Sequence, residues 1–290
     1  MSNRLLLVLG GLVCSLMLLG AGCSRPTAQQ AGQSQGSLQI PKPPAIKDMP
    51  PHDAARAINF IGGNVIELHQ DIHGTASAFA VKHGMGANGG TQVIVIKQFG
   101  PPYTASFDWK LSTNVTVKGK QEEKQYVGSV MDANLQNSYE LFPPAYWNEG
   151  VQSALGTGGM WLSRDVYENL EKTRISTMKY GFEDPQLLTF RSKDFIDPAL
   201  QLKAQVDKIL PHKDVYLTEA DKDFGTYTLM VNGATTTVET INAHNWFGDM
   251  VVLNNPENPL ILKMTSSNLP VAELNGLFDY EVTRVESFKN

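Results

Sequence analysis

The sequence predicts a mainly β protein, a β-rich α+β fold of antiparallel, sandwich-like sheets with two or three short helices. Three observations predict it. Short apolar or alternating runs recur along the chain, about a dozen in all. Asn232-Gly233 separates two such runs in TYTLMVNGATTTVETI, a strong hairpin signal. Helical periodicity is confined to a few brief stretches, the clearest of them between Asp197 and Leu210.

The chain opens MSNRLLLVLGGLVCSLMLLGAGCSRP. Arg4 precedes an apolar run from Leu5 to Leu19, and Gly20, Ala21 and Gly22 lead to Cys23, the layout of a secretory signal. The run is short for a membrane span, which needs ~20 residues. Leu19-Gly20-Ala21-Gly22-Cys23 resembles the lipobox of bacterial lipoproteins, with its leucine one step further from the cysteine than is usual. That resemblance implies a mature chain beginning at Cys23, thioether-linked to diacylglycerol and N-acylated. It also implies, from Ser24 in place of an aspartate, an outer-membrane address with the folded part facing the periplasm. Three acyl chains exceed the two signals needed for stable anchoring.

Cleavage would remove one of the 24 basic residues and none of the 29 acidic ones, taking the net charge from −5 to −6. This mild acidity argues against nucleic acid as a partner. Of the two cysteines, Cys14 would leave with the leader and Cys23 would be lipidated. No cysteine remains for a disulfide, a thiolate zinc site or a thiol nucleophile. No cofactor motif is recognisable, so none is expected. The expected partners are the membrane, through the lipid, and an envelope protein or glycan.

The expected organisation is a signal peptide over 1–22 and a lipidated cysteine with a flexible tether over 23–51. An N-terminal β-rich domain or half (52–144) and a C-terminal one with short helices (145–290) follow. Ser24 to Pro51 is rich in Gln, Ser, Gly and Pro and too poor in apolar side chains to offset its ordering entropy. Its reach would be about 30 Å.

Asp53 is a candidate N-cap for a short helix ending before Gly62-Gly63. NVIELHQDIHG follows, with Glu67, His69, Asp71 and His73 alternating with Ile66, Leu68, Gln70 and Ile72. On a helix, His69 and His73 would share one face at a zinc-binding spacing. On a strand they would lie about 13 Å apart, too far for one ion. The β-branched residues and the alternation favour the strand and a polar outer face, and His69, Asp71 and His73 are kept as the metal candidates.

Gly84, Gly86 and Gly89 spell G-x-G-x-x-G, but a strand rather than a helix follows, so a hairpin loop is expected and no phosphate site. Strands are expected at 104–111, 114–118 and 125–130, with KGKQEEKQ as a solvated connection. Pro143-Pro144 marks a domain boundary or a rigid turn. Tyr139, Phe142, Tyr146, Trp147 and Trp161 crowd this region. Such rings can stack on sugars or peptides, although filling a core is their commoner use. GTGGMWLS is expected as a strand. Ser163 should cap a helix over RDVYENLEK, ISTMKYG should be a strand, and Asp197 and Pro198 should open a helix closed by Pro211.

VNG…VVLNNPENPLILKM is similar to stretches of uncharacterised bacterial envelope proteins and implies no activity. His244 and Trp246, with Asn242, Asn245 and Asp249, form a second polar-aromatic cluster. The binding candidates are therefore Trp147, Trp161, His244 and Trp246. No catalytic motif assembles, so the leading expectation is a non-catalytic, lipid-anchored envelope protein that binds or supports another component. The alternative is a periplasmic hydrolase, metal-assisted through His69, Asp71 and His73.

Overall fold

The computed structural model describes residues 45–70, 89–100, 103–117, 120–147, 149–179, 217–245, 247–266, 276 and 278–287. Among them are helices α1 (Pro51–Ala57) and α2 (Arg164–Thr173), and 3-10 turns at Ile46–Asp48 and Pro144–Tyr146. The strands are β1 (Val65–Gln70), β2 (Gly90–Gly100), β3 (Thr104–Val117), β4 (Lys120–Asn134), β5 (Gly150–Ser153) and β6 (Ile175–Thr177). They continue as β7 (Leu217–Ala220), β8 (Gly225–Val231), β9 (Ala234–His244), β10 (Gly248–Leu253), β11 (Ile261–Ser266) and β12 (Tyr280–Glu286). The protein is mainly β.

All twelve strands belong to one sheet in the order β5-β4-β3-β2-β1-β12-β11-β10-β9-β7-β6, with β8 paired to both β12 and β9. β12 is the junction. One edge carries β1 along its whole length; the other carries β11 at Tyr280 and Glu281 and β8 at Arg284 and Val285. The path β12-β11-β10-β9-β8 thus returns to β12, so that the sheet closes on itself in a barrel- or sandwich-like arrangement. Pairing is antiparallel except for β4–β5 and β8–β12. Residues Pro43–Asn290 form one compact unit, and the expected halves 52–144 and 145–290 share its sheet.

Local chemistry explains most elements. Ile66, Leu68 and Gln70 of β1 are buried while Val65, Glu67 and His69 are half-buried on the other face, the period-2 alternation of a strand. Asn232 and Gly233 both have positive φ, 51° and 79°, as a type I′ turn between β8 and β9 requires. Ser163 accepts a bond from the Val166 N–H and caps α2, whose Val166, Tyr167 and Leu170 face the core.

Several expectations change. α1 begins at Pro51 with Pro50 at the cap position and no side-chain cap, so Asp53 lies in its first turn instead. Proline at the first helical position costs nothing, because its missing N–H would have no partner there. The compact unit starts at Pro43, and Ile46 and Met49 pack against its core, so the last residues of the expected tether are docked. KQEEK is ladder rather than connection: β3 and β4 pair without interruption from Thr113↔Lys124 to Val117↔Lys120. GTGGMWLS forms turns and two isolated bridges, Glu140↔Thr157 and Trp161↔Leu260, in place of a strand. A Cβ at Gly158 would collide with the Trp161 carbonyl, and Gly156 and Gly159 have positive φ. That chain path is tightly folded back, not extended. Pro143 and Pro144 are buried inside the single unit, as a rigid turn. Most of the glycine-rich loop and the whole helix expected at 197–210 lie outside the described residues.

Candidate functional site

Trp147 and Trp161 do not reach solvent: they are 3 % and 0 % exposed. Trp147 donates its indole N–H to the Phe142 carbonyl at 2.8 Å and lies 4.8 Å from Phe107, centroid to centroid. Trp161 packs against Phe60, Phe99 and Phe107 and donates to Asn258 at 2.9 Å. Neither ring can stack on a glycan or peptide. The physical reason is that a compact sheet needs large side chains where its faces meet, and both indole N–H groups found internal acceptors.

His69 is half-buried on the outer face of β1, between Thr91 of β2 and Glu281 of β12. Asp71, His73, Trp246 and Cys23 lie outside the described residues. Among the described residues no group of three or more His, Cys, Asp or Glu side chains could hold a metal ion. His244 ends β9, exposed, with Glu219 of β7 and Asp249 of β10 as its cross-strand neighbours. Asn245, from the same cluster, is a turn former. Its oxygen accepts from the Phe247 and Gly248 N–H groups and its amide donates to Thr218.

Among the described residues, a connected set of ionisable groups lies elsewhere, where α1 and α2 meet β9. His52 Nδ1 lies 2.7 Å from Glu239 Oε2, which also accepts from the Asn254 amide. Tyr167 donates to Asn254 Oδ1 and stands 3.4 Å from Glu171, which pairs with Arg56 at 3.2 Å. Burial first, and then the Glu171 carboxylate, push the Tyr167 hydroxyl well above its ordinary range. The His52 side chain is about half exposed at 54 %, whereas Glu239 behind it is at 20 %. A carboxylate in this position fixes the imidazole's orientation. This set joins Pro51–Ala57, Arg164–Thr173 and Ala234–His244. No local sequence signal could have revealed it, since His52 and Glu239 are 187 residues apart.

Below this set, Asn255 donates to the Ala55 and Ile58 carbonyls, and Asn258 donates to Ile58. NNPEN is therefore a clasp on the C-terminal end of α1. These bonds use the asparagines structurally, satisfying helix-end carbonyls that would otherwise be buried without partners.

The surface has one further feature. Val127 of β4, Val151 of β5 and Leu155 just beyond it are 56 %, 77 % and 75 % exposed. Val151 stands opposite Ser129, two residues from Val127 and on the same face of β4. β5 is also the terminal strand of the sheet among the described residues.

No family model, curated protein or solved structure matches the chain.

Proposed function

We propose that this chain is a lipid-anchored protein of the bacterial cell envelope that binds or supports another envelope component without catalysing a reaction. The observation that carries it is the leader: a basic start, a short apolar run and Leu19-Gly20-Ala21-Gly22-Cys23. The anchor would be acyl chains on Cys23, and the address, from Ser24, the periplasmic face of the outer membrane. Two structural observations support a binding or supporting role. Trp147, Trp161, Asn255 and Asn258 are engaged in holding the fold. Exposed valine and leucine side chains gather at a sheet edge, the kind of surface that another protein covers. Labelled palmitate decides the central point. It should enter the wild-type chain and not the Cys23→Ser variant; entry into both, or into neither, would end this reading.

One observation favours a second reading, a periplasmic hydrolase. A partly exposed imidazole held by a less exposed carboxylate, His52 with Glu239, is an arrangement that general-base chemistry uses. The purified chain would then hydrolyse a member of an ester, peptide and phosphoester panel, and His52→Ala would abolish that turnover. Undiminished turnover in His52→Ala would exclude this pair as the base.

A further inference from the structure

At the C-terminal end of α2, two hydrogen-bond donors two residues apart are buried without a partner. Arg174 Nη1 and Ser176 Oγ are both shielded from solvent and neither makes a hydrogen bond. Ser176 is 5 % exposed and sits on the buried side of β6, opposite the fully buried Thr218 of β7. Thr218 Oγ1 already accepts a bond from the Asn245 amide, so its own hydrogen remains to be given. The Arg174 guanidinium lies 4.5 Å from the centroid of the Phe224 ring. Phe224 is 43 % exposed, on the turn between β7 and β8.

Three features make this corner unusual. First, a buried polar group without a partner is costly, and native proteins rarely retain one without an ion, a water or a function to explain it. Here a cationic donor and a neutral donor two residues apart are both left over. Second, Arg174 has left-handed backbone, φ 63° and ψ 11°, at the position where glycine is the unstrained choice. An arginine is held there at a conformational cost, with its carbonyl fixed by the Ala220 N–H at 2.8 Å. Third, the excess is of donors. Asp221 and Asp223 lie in the turn that carries Phe224, yet neither pairs with Arg174 among the described residues. Arg174 Nη1 is thus left without a negatively charged acceptor.

We propose that Arg174, Ser176 and Thr218 form a binding site for a single small oxyanion, a carboxylate or phosphate group, roofed by Phe224. The guanidinium supplies charge and directional N–H donors, which suit a planar carboxylate or a phosphate face. The two hydroxyls supply neutral donors from the sheet. Phe224, on an exposed turn, is the element that must move to admit the anion. The site stands independently of the envelope reading, since none of its residues belongs to the leader or to the β4–β5 edge.

The test uses the full chain in detergent, with inorganic phosphate and acetate as separate probes against chloride at matched ionic strength. Anion binding to the folded state alone should raise the unfolding midpoint in a saturable way. At ten times the dissociation constant, the folded-to-unfolded ratio should rise about elevenfold. Arg174→Gln should remove the effect, while Arg174→Lys and Ser176→Ala should weaken it. A response to phosphate alone would assign the phosphate class, and a response to acetate alone the carboxylate class. Should Arg174→Gln fail to fold, phosphorus NMR line broadening of phosphate or carbon NMR broadening of acetate gives the answer. Broadening by wild type that is weakened in Arg174→Lys supports the site. No saturable effect of either probe, or an effect undiminished in the arginine variants, would overturn it.

Discussion

Trp161 donates its indole N–H to the Asn258 side chain at 2.9 Å, and Asn258 donates onward to the Ile58 carbonyl at 3.0 Å. One asparagine thus ties the central aromatic cluster to the residue that closes α1. Asn258→Ala should leave the buried Trp161 N–H without its acceptor, while the Ile58 carbonyl keeps the bond from Asn255, at a cost of about 1–3 kcal/mol. Urea unfolding should show a lower midpoint with an unchanged slope. A change under about 0.5 kcal/mol would mean that the clasp is not a structural necessity.

Glu239 holds His52 and Asn254 together, and Asn254 holds Tyr167. Glu239→Ala should destabilise the protein by about 1–3 kcal/mol, since it removes the acceptor from the buried Asn254 amide. The loss should be local first: amide hydrogens of α1 should exchange faster than those of β3 and β4. Equal acceleration everywhere would contradict this.

The Tyr227 hydroxyl is pushed up to about 12 by burial and, next, by the Glu281 carboxylate, and it donates to the Val282 carbonyl at 3.0 Å. An unfolded tyrosine ionises near ~10. The folded state therefore holds this proton more tightly than the unfolded state does. Its contribution is fully present below pH ~10 and is lost as pH rises from there through about 12. Tyr167 is displaced in the same direction. Stability should fall over this alkaline window, and Tyr227→Phe should make the fall shallower without removing it. Unfolding midpoints measured from pH 8 to pH 12 check the slope.

Two glycines should answer differently to alanine. A Cβ at Gly248 would overlap the Thr265 carbonyl across the β10–β11 ladder, and neither backbone can yield cheaply. Gly233, at φ 79°, has open space around its missing Cβ and pays only for left-handed backbone. Gly233→Ala should therefore cost about 1 kcal/mol. Gly248→Ala should cost about 3 kcal/mol or more, because it adds a steric collision. Comparable midpoints for the two variants would refute the distinction.

Where elements form was written locally in the chain. The alternation of Ile66 and Leu68 with Glu67 and His69 made β1, Asn232-Gly233 made the β8–β9 turn, and Ser163 set the start of α2. Each signal acts within a few residues, through side-chain direction, left-handed backbone or a capping bond, so sequence alone determined it. Which elements meet was not written that way. That β12 takes β1 on one edge and both β8 and β11 on the other depends on contacts between distant strands. The same holds for the two tryptophans. An aromatic-rich stretch is equally compatible with a surface groove and a core, and only the packing of Phe60, Phe99 and Phe107 around Trp161 decided for the core. The pairing of His52 with Glu239, and the stranding of Arg174 and Ser176 without acceptors, were likewise decided by tertiary structure. Hydrogen-bond satisfaction is a property of the surroundings that the whole fold supplies, and no stretch of a few residues carries it.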